Sequence, residues 1–248
     1  MKLFIQLILI LFCAQQIQGQ LRREYNIQSV EAGPKIDGDL NEAVWKNCTA
    51  TGDFTQTVPQ TDNPSNYKTE IRMCYSNTSV YVSAVMYQPR SVSLRQLTAR
   101  DMLYNINSDI FSVFFDTYDD HQNGFTFRVS SAGVQHDERL SEGGEYGDQS
   151  WDAVWKLNVL VFDDRWQVEM EIPFSALRFS KQSEMTWGIN FYRGVRKINE
   201  SSYWNKIDVQ KQGFLAQTGL LKALKNISPP VRLFLFPYIS TGYLQQME

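Results

Sequence analysis

The chain is 248 residues long, carries 24 Lys and Arg against 27 Asp and Glu for a net charge of −3, and is 13% aromatic. That length suits one large domain or a domain plus a fragment. The nearly balanced charge, with no basic block, excludes nucleic acid as a partner, since phosphate binding needs a positive stripe.

Residues 1–19 read as a signal peptide: Lys2 is a minimal positive segment, Leu3 to Ala14 is an apolar stretch, and a polar cleavage region runs to Gly19. The apolar stretch is too short to span a bilayer comfortably. Phe12 before Cys13 argues against a lipoprotein signal. The mature chain is therefore expected to be exported.

Asn41 to Trp45 reads as a short helical turn, capped and braced by Asp37, Asp39 and Glu42. Cys48 and Cys74 survive processing, either as a disulfide pair in an oxidising compartment or as buried free thiols packed like small hydrophobes. Glu70 to Tyr75 and Ser79 to Tyr87 are β-branched and aromatic runs around Ser76-Asn77-Thr78, which predicts a hairpin.

A second hairpin is expected from Asp109–Asp116 and Phe125–Ser130, with Asn123-Gly124 supplying positive φ in the turn. That turn also offers Asp116, Asp119, Asp120 and Asn123 as hard oxygen ligands for Ca²⁺. Its spacing lacks the alternation of an EF-hand loop, so the competing reading is a solvated turn.

Trp166, Val168, Met170 and Ile172 alternate with Gln167, Glu169 and Glu171 until Pro173, predicting a strand buried on one face and polar on the other. Glu169 and Glu171 would project from the same face about 7 Å apart, a spacing used by inverting glycosidases. Adjacent carboxylates of this kind are usually a solvated strand surface, and that is the expectation here. Ser175 to Leu177 is another short turn.

After Asn226-Ile227-Ser228-Pro229-Pro230, a linker-like break, Arg232 to Tyr243 is apolar and aromatic on both parities. One such strand cannot satisfy its own edges in lipid, so it suggests the first strand of a truncated barrel. Taken together the pattern is all-β: a two-sheet antiparallel β-sandwich over residues 20–224 with short helical turns, then a linker and strand over 225–248.

Enzyme chemistry is weakly supported. Only His121 and His136 are present, and no Gly-x-Ser-x-Gly, His-Glu-x-x-His or phosphate-binding glycine loop occurs.

Four segments recur in a fixed order: Lys35-Ile36-Asp37-Gly38-Asp39-Leu40-Asn41-Glu42-Ala43-Val44-Trp45, Asp109-Ile110-Phe111-Ser112-Val113-Phe114-Phe115-Asp116, Trp166 to Pro173, and Trp187-Gly188-Ile189-Asn190-Phe191. Together they resemble the family 9 carbohydrate-binding modules. They look most like the version at the N-terminus of an outer-membrane family, typical of Bacteroidetes, that precedes a β-barrel of unknown function.

The resemblance implies a sugar held between two aromatic planes with added hydrogen bonds from charged and amide side chains. Phe127-Arg128-Val129 matches the strand that carries a sugar-contacting arginine, which assigns that role to Arg128. Tyr104 stands a few residues upstream of the position of one platform, and the second falls between Trp204 and Phe214. Trp151 and Trp155 match a motif of the outer-membrane subgroup, Trp151 as a further candidate sugar contact and Trp155 as a core residue. Modules of this kind can carry structural calcium.

The implied function is non-catalytic binding of a poly- or oligosaccharide, at the periplasm or outer membrane, in polysaccharide recognition or catabolism. The alternatives are a structural periplasmic domain packing on the barrel without sugar, and a targeting module whose glycoside hydrolase domain lies elsewhere in the chain.

Overall fold

The computed structural model describes residues 22–104 and 106–229. The expected signal peptide at 1–19 and the expected apolar strand at 232–243 lie outside the described residues. Two short strands open the chain, β1 (Glu24–Asn26) and β2 (Gln28–Ser29), followed by one helical turn, α1 (Ala43–Asn47), and β3 (Thr55–Val58). The first hairpin is β4 (Thr69–Tyr75) and β5 (Ser79–Tyr87), paired antiparallel from Thr69↔Met86 to Tyr75↔Val80. Then come β6 (Ile110–Asp116), β7 (Gly124–Ser130), β8 (Gln135–Ser141), β9 (Tyr146–Asp148), β10 (Lys156–Val161) and β11 (Arg165–Pro173). The described residues end with β12 (Glu184–Val195), β13 (Glu200–Tyr203) and β14 (Gly219–Lys225).

These strands form two sheets. The larger has the order β1-β14-β12-β6-β7-β8-β9, with β13 bridging β12 and β3; the smaller has the order β10-β11-β5-β4-β2. The expected antiparallel sandwich is present with one correction: β1 pairs β14, and β2 pairs β4, in parallel. The cause is a short crossing, because the N-terminal segment serves one sheet at Tyr25 and the other at Gln28, with Ile27 buried between. No barrel closes among the described residues.

The core lies between the sheets. Strands β4, β5 and β11 contribute Ile71, Met73, Val82, Met86, Trp166, Val168 and Met170; β6, β7 and β12 answer with Phe111, Phe115, Phe127, Trp187 and Phe191. Each such side chain contributes about 1.5–3 kcal/mol on leaving water, so most of the aromatic content is spent on cohesion. At one end Arg193 of β12, fully buried, donates to the carbonyl oxygens of Lys68 and Tyr87, both at 2.8–2.9 Å, and to Thr69 Oγ1 at 2.8 Å. Burial pushes this guanidinium down to about 10. Its five hydrogen bonds tie the large sheet to β4 and β5 across the gap.

The sandwich extends past Leu224. β14 runs through Lys225, and Ile227 is buried in the main core.

Candidate functional site

The outer face of the large sheet carries the candidate site. β6, β7 and β8 are in register with Ser112 opposite Arg128 and Thr126 opposite both Phe114 and Glu138. Alternation turns Phe127 and Val129 into the core and leaves Arg128, half-buried, on the outer face. Arg128 Nε donates to Ser112 Oγ at 3.2 Å, and the guanidinium lies over the Tyr104 ring at 5.5 Å. Tyr104 comes from the loop before β6, is about half exposed, and donates its hydroxyl to Glu138 Oε1 at 2.5 Å.

Phe214 enters from the other side, edge-on to Phe114 at 4.7 Å and tilted against Tyr203 at 5.7 Å. Tyr104, Arg128 and Phe214 thus line one open cavity of about 400 Å³, together with Glu138, Leu140 and Tyr203. Two aromatic rings flank a planar donor fork and a carboxylate. That combination can place apolar ring faces against a pyranose while Arg128 and Glu138 hydrogen-bond its hydroxyls.

Burial alone would push the Glu138 carboxyl up, but His136, whose Nε2 lies 3.5 Å away, the Tyr104 hydroxyl and the nearby Arg128 outweigh it and hold Glu138 below the usual range. His136 is itself fully buried, with both ring nitrogens lacking a hydrogen-bond partner among the described residues.

Two residues expected to serve the site do not reach it. Trp204 is 1% exposed: its ring packs on Phe191, its Nε1 donates to Thr51 Oγ1 at 2.7 Å, and Arg23 covers it. It is a core residue and no platform. Trp151 packs against Phe125 and Phe127 from the opposite face of the sheet, so it does not line this cavity. Trp155 is a core residue as expected, with its Nε1 on Asp137 at 2.9 Å.

Glu138, Leu140 and Tyr203 were missed in the sequence. Only the register of β7 with β8 places Glu138 beside Arg128, and a single chain carries no signal for that pairing.

The turn between β6 and β7 differs from the expectation in detail. Its positive-φ residues are Asp119 (49°) and His121 (60°), and Asn123 and Gly124 are not among them. Gly124 is required for a different reason: a Cβ there would stand 2.7 Å from the Phe115 carbonyl oxygen.

Of the four oxygen donors, Asp116 and Asp119 gather with His121, their ligand atoms all within 4.8 Å of one another. Asp116 is fully buried and accepts N–H bonds from Tyr118, Asp120 and His121, and Asp119 is held by Arg22 at 2.8 Å. Asp120 accepts from the N–H groups of Gln122 and Asn123, and its other oxygen from the Asn123 side chain. Calcium needs six to eight oxygens. This donor set is already engaged by backbone amides and a guanidinium, so it does not fit that ion.

The polar face of β11 also departs from the expected solvated surface. Glu169 is wholly buried, its oxygens accepting from Trp45 Nε1 (2.6 Å), Gly38 N (2.7 Å) and Asp37 N (3.0 Å). The 35–45 segment covers this face, and Gln167 Nε2 donates to Gly38 O at 2.6 Å. Burial pushes the Glu169 carboxyl up. Glu171 is half-buried, paired with Lys156 at 3.0 Å and hydrogen-bonded by Ser79. Asp37 and Asp39 brace the loop, since Asp37 accepts from Asp39 N, but Glu42 makes no cap bond. Cys48 and Cys74 are unbridged, buried thiols beside Trp45 and Tyr81.

No family model and no curated protein matches this chain. Solved structures do. A family 9 carbohydrate-binding module from Caldicellulosiruptor kristjanssonii in complex with cellotriose superposes with a TM-score of 0.58 and 16% identity, covering 87% of this chain and 100% of its own. The glucose complex of such a module from the same organism gives 0.58 and 14%, covering 85% and 100%. A protein of Bacteroides uniformis, named only provisionally as carbohydrate-binding, gives 0.65 and 15%, covering 82% and 99%. At these identities the likeness is one of fold.

Proposed function

We propose that this domain is a non-catalytic module that binds a poly- or oligosaccharide in the Tyr104, Arg128 and Phe214 cavity. The observation that carries the reading is the convergence of those three side chains, which stand far apart in sequence, around one opening on the large sheet. The shared fold adds support, because two of the structural neighbours were solved with cellotriose and with glucose. Neither Glu169, buried under Trp45, nor Glu171, paired with Lys156, is free to act on a sugar. The module would act in an exported protein held at the outer membrane by a barrel that follows it, a reading supported by the apolar segments at 3–14 and 232–243.

A glycan array followed by calorimetry on the mature chain tests it. Weak binding in the micromolar to millimolar range is expected for a small polar ligand. Arg128→Ala should weaken it by at least about tenfold, ~1.4 kcal/mol, with an unchanged melting temperature. No binding across plant, algal and bacterial glycans would sink the reading.

A further inference from the structure

A second cavity, of about 570 Å³, opens on the other side of the β8 and β9 ribbon. The pairing of these strands explains why the two are separate. Leu140 opposite Gly147 faces the first cavity, whereas Arg139 opposite Asp148 and Ser141 opposite Tyr146 face the second. Strand alternation places one row of side chains on each side.

The second cavity presents two exposed aromatic rings, Tyr118 at 48% and Tyr146 at 58% exposure, above an apolar floor at Phe125. Its acids are already engaged. Asp148 accepts from Arg139 at 2.9 Å and from the Ser150 hydroxyl at 2.6 Å, and Asp120 accepts from its own turn's amides. Arg178 is different: it is exposed, lines the cavity, and has no acidic partner among the described residues. Arg178 is therefore the cavity's unpaired cation among the described residues, beside two exposed tyrosines, while Asp120 keeps its negative charge because backbone amides bond it without neutralising it.

We infer that this cavity is a binding site for an acidic saccharide, with the sugar carboxylate on the Arg178 guanidinium and ring faces against Tyr118 and Tyr146. A carboxylate matches the fork in two parallel N–H bonds, and the tyrosines offer apolar faces with polar tips. The inference goes beyond the first site and does not depend on it.

Calorimetry and amide chemical shifts on the mature chain would test it, with α-1,4-linked trigalacturonate as the probe and its carboxyl-reduced trisaccharide as the neutral control. The expected result is that trigalacturonate binds in the millimolar range or tighter, about tenfold more tightly than the control, and more weakly as salt rises. Arg178→Ala should weaken it by at least about tenfold, Arg178→Lys by less, and Tyr118→Ala measurably. The fold is spared because the main-chain oxygen of Arg178, which Thr117 Oγ1 bonds, stays in place; an unchanged melting curve checks this.

Arg128→Ala separates the two sites. Loss of uronate binding in Arg128→Ala but not in Arg178→Ala would place the ligand in the first cavity and overturn the inference. So would no binding at about 10 mM probe, or equal affinity for the neutral trisaccharide. Should no neutral sugar bind anywhere while trigalacturonate binding depends on Arg178, the first site's reading fails and this one stands.

Discussion

Glu169 shows how one side chain can hold a distant segment. Its carboxylate is the acceptor for an indole N–H and two successive backbone N–H groups of the 35–45 loop. Removing it would leave Trp45 Nε1 and Gly38 N buried without partners, each costing about 1–3 kcal/mol, while Asp37 N keeps its bond to the Lys35 carbonyl oxygen. Glu169→Ala should therefore lose at least about 2 kcal/mol of stability in urea unfolding, whereas Glu171→Ala, at a half-buried ion pair, should lose less than about 1 kcal/mol. Equal losses would show that the clasp contributes nothing special. In the sequence the motif from Lys35 to Trp45 was recognisable but its partner was not. Glu169 lies 124 positions beyond Trp45 and alternates with apolar residues just as a solvated carboxylate would.

At the scale of elements, the hairpins and β11 were legible because β-branched and aromatic alternation marks a strand wherever one face is buried. Their second faces were not legible, since only the assembled fold reveals what covers them: the 35–45 segment over β11, and the loops bearing Tyr104 and Phe214 over the large sheet. The turn between β6 and β7 makes the same point. Its acids suggested calcium by composition, yet Asp116 is filled by three backbone N–H groups and Asp119 by Arg22. Chelator should therefore leave the melting curve unchanged, while Asp116→Ala, by stripping acceptors from three amides, should lower the melting temperature with or without it. A chelator-dependent fall in the wild type would return the turn to calcium binding.

For the whole molecule, the sandwich could be read from strand spacing, but its closing residues could not. The linker-like run at 226–230 suggested an end at Leu224, and the structure carries the large sheet further. Tyr75 Oη accepts from Lys225 N at 3.0 Å and lies within hydrogen-bonding distance of the Ala223 and Lys225 carbonyls, so the turn end of the small-sheet hairpin is fastened to β14 of the large one. Ile227 then fills the core beside it. Every strand of the two sheets among the described residues lies within 22–229, and a chain of those residues should unfold in one cooperative transition. A chain cut after Leu224 loses the bond from Lys225 N to Tyr75 Oη and the buried isoleucine, together about 3 kcal/mol, and for a domain of this size its melting temperature should fall by roughly 6 to 12 °C. Thermal melts followed by tryptophan fluorescence compare the two directly. Identical midpoints would mean that the segment after Leu224 only rests on the fold, and that the sandwich ends where the sequence suggested.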